Sequence, residues 1–190
     1  MSEEFEVRGA HEDQMDEAAE RDPQGMAGQL AVMTAILATV GAMFSYMAGA
    51  TQADAALLKN DAAIRKTEAA NQWSFYQAKS HKQNLSALGL DLAADARKPF
   101  YAAQVERYQG ETVAIKLAAE KLERESTDFD AKSEAQMHQH HRWAQATTAL
   151  QIAIAMAAIA LLTKRQWLEK AVLVVSGLGL VVGALAYFHV

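Results

Sequence analysis

Three side chains in the second half of the sequence are spaced so that they could bind a metal ion. Glu134, His138 and His141 occupy positions i, i+4 and i+7, so on a helix one carboxylate and two imidazoles would share a face. Zinc accepts these ligands, and histidines also respond to pH near neutrality. No fourth ligand is evident, and subunits would have to pool these residues around an axis to complete a site. The alternative is a set of polar groups just outside a membrane helix.

A second cluster, Trp73, Phe75 and Tyr76, is aromatic and covers more than one face of a helix. We expect it to pack against a second helix or a neighbouring subunit, with a ligand site as the alternative. The sequence has no Cys, which excludes disulfides and thiolate chemistry. No Ser-His-Asp arrangement, phosphate-binding glycine loop or pair of catalytic carboxylates is readable. We therefore expect a protein that is not an enzyme and has no cofactor.

Three apolar blocks determine where these residues can lie. Residues 26–50 contain no Asp, Glu, Lys, Arg or His, and these 25 residues are enough to cross a bilayer core. Residues 143–162 and 171–190 form two further blocks, and the charged residues lie almost wholly outside the three. Only ten Gly and two Pro in the chain favour helices throughout. The prediction is an all-α integral membrane protein with three transmembrane helices, whose first partner is the lipid bilayer.

Residues 51–142 predict a long stalk outside the membrane, built as an antiparallel helical hairpin with its turn near 88–99. Pro99 suits the first turn of the second leg. In the first leg, Leu57, Ile64, Ala78 and Leu85 follow a seven-residue series. Thirteen acidic and thirteen basic residues balance in this segment, so no basic face predicts a nucleic-acid partner.

The second leg carries the clearest pattern in the chain, an alternation of four- and three-residue spacings that is typical of a coiled-coil seam. The seam is apolar at its start and becomes polar toward the second apolar block. Its positions are Tyr101, Val105, Tyr108, Thr112, Ile115, Ala119, Leu122, Ser126, Phe129, Ser133, Gln136 and His140.

Small residues in the apolar blocks predict close helix packing. Gly41, Ser45 and Gly49 share one face of the first block, and Gly179 and Gly183 form a GxxxG pair in the third. With the stalk seam, these faces predict a homo-oligomer, and the stalk could also bind another protein. If the oligomer enclosed a pore, its lining would come from the polar start of the second block, namely Thr147, Thr148 and Gln151.

The orientation rests on charge. Residues 1–25 form an acidic tail that we expect to be disordered, and residues 163–170 form a short basic turn with Lys164, Arg165 and Lys170. Equal numbers of basic residues flank the spans on the two sides of the membrane. Basic residues in short loops have the greater influence on orientation, so we place the tail and the turn in the cytoplasm and the stalk in the periplasm of a bacterial inner membrane. Trp143, Trp167, Lys164 and Arg165 are the expected interfacial anchors.

Three strings resemble a known bacterial membrane family, the one catalogued as domain of unknown function 4337. They are AANQWSFYQAK at residues 69–79, HQHHRWA at 138–144 and LTKRQW at 162–167. The resemblance covers nearly the whole chain, in the same order and spacing. The family has no assigned activity, so the resemblance implies an architecture and no mechanism.

These observations lead to three hypotheses about function. The first is a non-enzymatic, oligomeric membrane scaffold or assembly factor. The second is an oligomeric channel lined by the second transmembrane helix. The third is a metal or pH sensor that uses His138 and His141.

Overall fold

The computed structural model describes residues 25–188, and throughout that range the chain is helical or turn, without a strand. Helix α1 is Met26–Leu92, a 3-10 helix follows at Asp95–Arg97, α2 is Lys98–Thr163 and α3 is Gln166–Tyr187. The predicted all-α class is thus confirmed. The acidic tail predicted at residues 1–25 lies outside the described residues except for Gly25.

The helix ends follow local chemistry. Nothing in Met26–Leu92 breaks a helix, and Pro99 takes the second position of α2, where its missing N–H costs no intrahelical bond. Between α2 and α3 the chain turns within Lys164 and Arg165, and Lys164 adopts a left-handed φ of 52°. Most of the segment 163–170 predicted as a turn is therefore helical. Glu169 in the first turn of α3 suits the positive end of the helix dipole.

Each of the three helices is long and apolar enough to cross a membrane. Their best 18-residue windows have mean hydropathies of 1.8, 1.9 and 1.9 and hold at most two charged residues. Only 17%, 33% and 28% of these windows is buried within the chain, so most of their apolar surface faces outward. Such a surface is compatible with a multi-pass membrane protein.

The described chain forms two compact units. Residues 25–53 and 136–188 make up one, here the apolar unit, and Asp54–Ala135 makes up the other, here the polar unit. The core of the apolar unit joins all three helices through large and small side chains. Its buried members are Leu30, Leu37, Leu150, Ala153, Ala157, Ala160, Leu168 and Val172.

Two glycines of α3 lie at helix contacts of the apolar unit. A Cβ at Gly183 would overlap the ring of Phe44 on α1, and a Cβ at Gly179 would lie 2.9 Å from Leu150 Cδ2 on α2. On α1 only Gly41 of the predicted small-residue face is buried, 3.9 Å from Leu150 by the same measure. Ser45 and Gly49 are exposed, so packing at these two positions stays a prediction for contacts between copies of the chain. The neighbouring helices meet α1 along Leu37, Gly41 and Ala48 instead.

Gly183→Ala should destabilise the apolar unit because the new methyl group requires the Phe44 ring to move. We expect a loss of about 1–3 kcal/mol in the free energy of unfolding, measured by thermal or denaturant unfolding in detergent. Gly177→Ala is the matched control, since nothing lies within 4 Å of its Cβ position. Equal stability of the two variants would contradict the contact, and Phe44→Leu should partly restore Gly183→Ala.

Candidate interaction surfaces

The polar unit has no core of large side chains. In Asp54–Ala135, all of which the structure describes, every buried side chain is small. These residues are Ala55, Ala62, Ala69, Thr112, Ala119 and Ser133. Such a unit is two helices in close contact. Beside the contact lies an open groove of about 700 Å³, lined by side chains of both helices that include Lys59, Trp73, Glu123 and Asp130.

On α2, the positions of the predicted seam are the ones that face inward. All twelve, from Tyr101 to His140, are buried or half-buried, whereas their neighbours on the opposite face of α2 are exposed. The alternation of four and three keeps one stripe of a helix against its partner, which explains the agreement.

Two serines of this seam donate hydrogen bonds to the backbone of α1. Ser126 Oγ lies 2.9 Å from the carbonyl oxygen of Ala62, and Ser133 Oγ lies 2.8 Å from that of Ala55. A serine hydroxyl is short, so it reaches a backbone carbonyl across an interface only where the facing residue has no side chain beyond Cβ. Alanine every seventh residue on α1 therefore permits the close approach.

A related contact occurs in the apolar unit. His140 Nδ1 lies 2.9 Å from the carbonyl oxygen of Ala48. Ala48 precedes Ala55 by seven residues, so it belongs to the same alanine series of α1. Because a carbonyl only accepts, Nδ1 must carry the hydrogen. His140 is thus tied to the backbone of α1 rather than directed toward a ligand.

The inward face of α1 is not the seven-residue series of larger apolar residues. Leu57, Ile64 and Leu85 are 65%, 47% and 67% exposed, and Asn71 and Ala78 are exposed as well, so this series does not face α2. The buried series lies two residues earlier. It consists of Ala55, Ala62 and Ala69. Their seven-residue spacing is visible in the sequence, but a search for large apolar residues does not select it.

Ion pairs flank the alanine and serine contacts. Lys59 pairs with Asp130, Arg65 Nε lies 3.5 Å from Glu125 Oε2, and Lys79 Nζ lies 2.5 Å from Glu111 Oε2. The hydrogen bond from Lys79 lowers the pKa of the Glu111 carboxyl. The hydrogen bond to Asp130 raises the pKa of the Lys59 ammonium. Pairs this exposed add little stability, but they favour one register of α2 on α1.

The aromatic patch divides between two faces of α1. Trp73 Nε1 donates a 2.9 Å hydrogen bond to Glu123 Oε1 on α2, and the rings of Trp73 and Tyr76 meet edge to face at 5.5 Å. Phe75 is 60% exposed and points away from α2. The structure thus places Trp73 at the helix contact with Tyr76 packed against it, and leaves Phe75 outside that contact.

The predicted metal ligands are not gathered into a site. Glu134, His138 and His141 are all exposed, and within residues 25–188 no three His, Asp or Glu side chains are placed so that they could hold a metal ion. A helix displays its i, i+4 and i+7 residues as a row, and within residues 25–188 no second helix adds a donor to that row.

The candidate pore residues do not share one environment. Thr147 is buried, and its hydroxyl bonds to the carbonyl oxygen of Trp143 in its own helix at 2.9 Å. Thr148 and Gln151 are exposed, with the Thr148 hydroxyl bonded to the carbonyl oxygen of Ala144 at 2.8 Å. Only Thr148 and Gln151 could therefore face a lumen between copies.

One of the expected interfacial anchors is an internal residue. Trp143 is 5% exposed and packs on Phe44 at a ring distance of 5.2 Å, next to Ala48 and Ala186. Its large ring fills the gap that the small residues leave, so it is not available to lipid headgroups. Trp167, Lys164 and Arg165 are exposed, as an anchoring role requires.

Ala62→Leu should destabilise the polar unit, because a leucine at this position would separate the helices and break the Ser126 hydrogen bond. The expected loss is about 1–3 kcal/mol, read from unfolding of the detergent-solubilised chain. Ala131→Leu is the control with the same change of volume at an exposed position of α2, and it should alter stability by no more than about 0.5 kcal/mol. A similar loss in both variants would contradict the close approach.

Comparison with known proteins gives one match. No curated protein and no solved structure matches the chain. A family model matches residues 26–189, which is nearly the whole chain, and it is described as a domain of unknown function, DUF4337. The resemblance expected from the three sequence strings is confirmed, and the chain belongs to the DUF4337 family.

Proposed function

We propose that the protein is a non-enzymatic membrane scaffold or assembly factor that works as a homo-oligomer. The observation that carries this proposal is the outward apolar surface of all three helices, of which at most a third is buried within one chain. A surface of this kind needs lipid or other protein around it. The apolar unit would supply the three spans, and the polar unit would stand outside the bilayer.

An antiparallel hairpin is the arrangement that the contacts of the polar unit support. Ala55 pairs with Ser133, Ala62 with Ser126 and Lys79 with Glu111, so partner numbers on α2 fall as numbers on α1 rise. We propose that this hairpin acts as a coiled-coil stalk. Its surface is the part of the protein that could bind a further protein partner.

A scaffold accounts for the small-residue interior of the polar unit. Alanine, serine and threonine hold two helices close together without enclosing a cavity, and the flanking ion pairs favour one register. The groove of about 700 Å³ beside these contacts is open to solvent, whereas a small-molecule site is typically an enclosed and mostly apolar cleft. A stiff pair of helices instead serves to hold partners at a defined distance from a membrane.

A channel is the second candidate, favoured by the exposed polar side chains at the start of the second apolar block. Gln145, Thr148 and Gln151 face outward on α2. Polar groups on a membrane-spanning helix are favourably covered by another subunit or by water in a lumen. If copies assemble around α2, this face either packs between subunits or lines a pore.

The oligomer is tested by the protein mass of the purified chain in detergent, with the bound detergent subtracted. We expect a defined multiple of the chain mass, and a monomer at all concentrations would contradict the scaffold. Planar-bilayer recording on the same oligomer separates the two candidates. The scaffold predicts no conductance, whereas unitary currents that Thr148→Leu reduces would identify a channel.

The orientation is tested with single cysteines in this chain, which has none of its own. We place the tail and the Lys164–Arg165 turn in the cytoplasm and the stalk in the periplasm, because the short basic turn favours the cytoplasmic side. In spheroplasts, an impermeant thiol reagent should label Asn84→Cys and spare Ser2→Cys. The reverse pattern would show that the stalk is cytoplasmic.

A further inference from the structure

Helix α1 carries a second heptad seam on the face that points away from α2. Every position reached from Leu57 to Leu92 by alternating steps of three and four residues is exposed, and none is Asp, Glu, Lys or Arg. The large apolar members are 47–78% exposed. They are Leu57, Ile64, Leu85, Leu88 and Leu92. We call this stripe the outer seam.

The outer seam is unusual for the part of a helix that lies outside the apolar unit. The outward face of such a helix is normally where its charged residues lie, because they are fully hydrated there. On α1 the charges of this segment lie on the flanks of the stripe or beside α2, as Lys59 and Arg65 do. One heptad position of the stripe is apolar except for Asn71, and the other holds Asn60, Thr67, Ser74, His81 and Leu88. A stripe with an apolar residue in each heptad but one and without Asp, Glu, Lys or Arg can pack against another helix.

We propose that the outer seam is the docking surface for the outer seam of a second copy of this chain, with the two α1 helices parallel and in register. This inference rests on the proposed oligomeric scaffold and assigns its interface. Parallel pairing follows from the proposed membrane topology, since copies inserted in one bilayer in the same direction carry their α1 helices in the same direction.

The order of residues along the stripe suits pairing with itself. Leu57, Ile64, Asn71 and Leu85 occupy one heptad position, and in a parallel, in-register pair each meets its own counterpart. Leucine and isoleucine thus meet like side chains of the same shape. Asn71 meets Asn71, and because an amide both donates and accepts, two copies can bond to each other. A single asparagine at this position is known to favour one register.

The flanking charges are compatible with the same pairing. In a parallel pair the residues beside the seam would be matched as Ala56 with Asp61, Ala63 with Glu68 and Gln77 with Lys82 of the other copy. None of these pairs joins like charges. The alanines on this flank also let the second helix approach closely.

The size of the stripe is sufficient for a specific contact. From Leu57 to Leu92 a helix extends about 50 Å at 1.5 Å per residue. With its flanking positions it offers about 20 residues per copy, which is the lower end of the usual number in a stable interface. The inner seam on the opposite face of α1 remains occupied by α2, so the two contacts do not compete.

Disulfide formation between single cysteines tests the pairing, because the chain has no cysteine of its own. Ile64→Cys and Leu85→Cys, oxidised separately in full-length protein in membranes, should each give a covalent dimer. Lys66→Cys is the control on an exposed position of another face and should give at least about tenfold less dimer. The two test positions are 21 residues apart on α1, so an antiparallel pair could bring only one of them next to its counterpart.

A second measurement separates this inference from the proposed function. The double variant Ile64→Asp with Leu85→Asp should raise the dimer dissociation constant about tenfold or more, while helix content and thermal unfolding of the monomer stay unchanged. Lys66→Asp should have no such effect. If the chain is an oligomer by mass but neither or only one cysteine cross-links, the outer seam is overturned and the scaffold stands. A chain that is monomeric by mass overturns both.

Discussion

The close approach of α1 and α2 through alanine is the constraint on which the polar unit depends. With Cβ alone at Ala55 and Ala62, the serines of α2 reach the backbone carbonyls of α1. A backbone acceptor is present at every residue of a helix, so the serines alone do not determine the register. The seven-residue repeat of the alanines determines it, because only there can the helices come close enough. In the polar unit, Leu57 and Ile64 lie on the outer face of α1.

The same constraint explains which parts of the fold could be predicted from the sequence. On α2 the inward residues include Tyr101, Ile115 and Phe129, and their size and alternation made the seam readable. On α1 the larger residues follow an equally regular series, but on the face opposite to α2. A rule that equates burial with hydrophobicity chooses that series. Burial on α1 depends on the space between the backbones of α1 and α2. The residue pattern of α1 alone gives no information about that space.

The apolar unit shows the same dependence on neighbours. Gly179 and Gly183 of α3 lie at contacts because Leu150 and Phe44 occupy the space next to them. Ser45 and Gly49 also have small side chains, and both are exposed because no other helix of the described residues covers them. Trp143 was expected at the lipid interface from its position in the sequence. It is internal because small residues of α1 and α3 leave a gap that its ring fills. A face of small residues can pack against another helix, but whether it does so depends on the side chains and position of that helix.

The two-residue connection between α2 and α3 has a consequence for the assembly of the protein in a cell. Lys164 and Arg165 alone separate the helices, and Lys164 closes α2 with a bond from its N–H to the Ala160 carbonyl. A link of that length reaches only about 7 Å, far less than the thickness of a bilayer. If α2 and α3 span a membrane as proposed, they are therefore inserted as one hairpin, and the start of the second apolar block and the end of α3 lie on the same side of the bilayer.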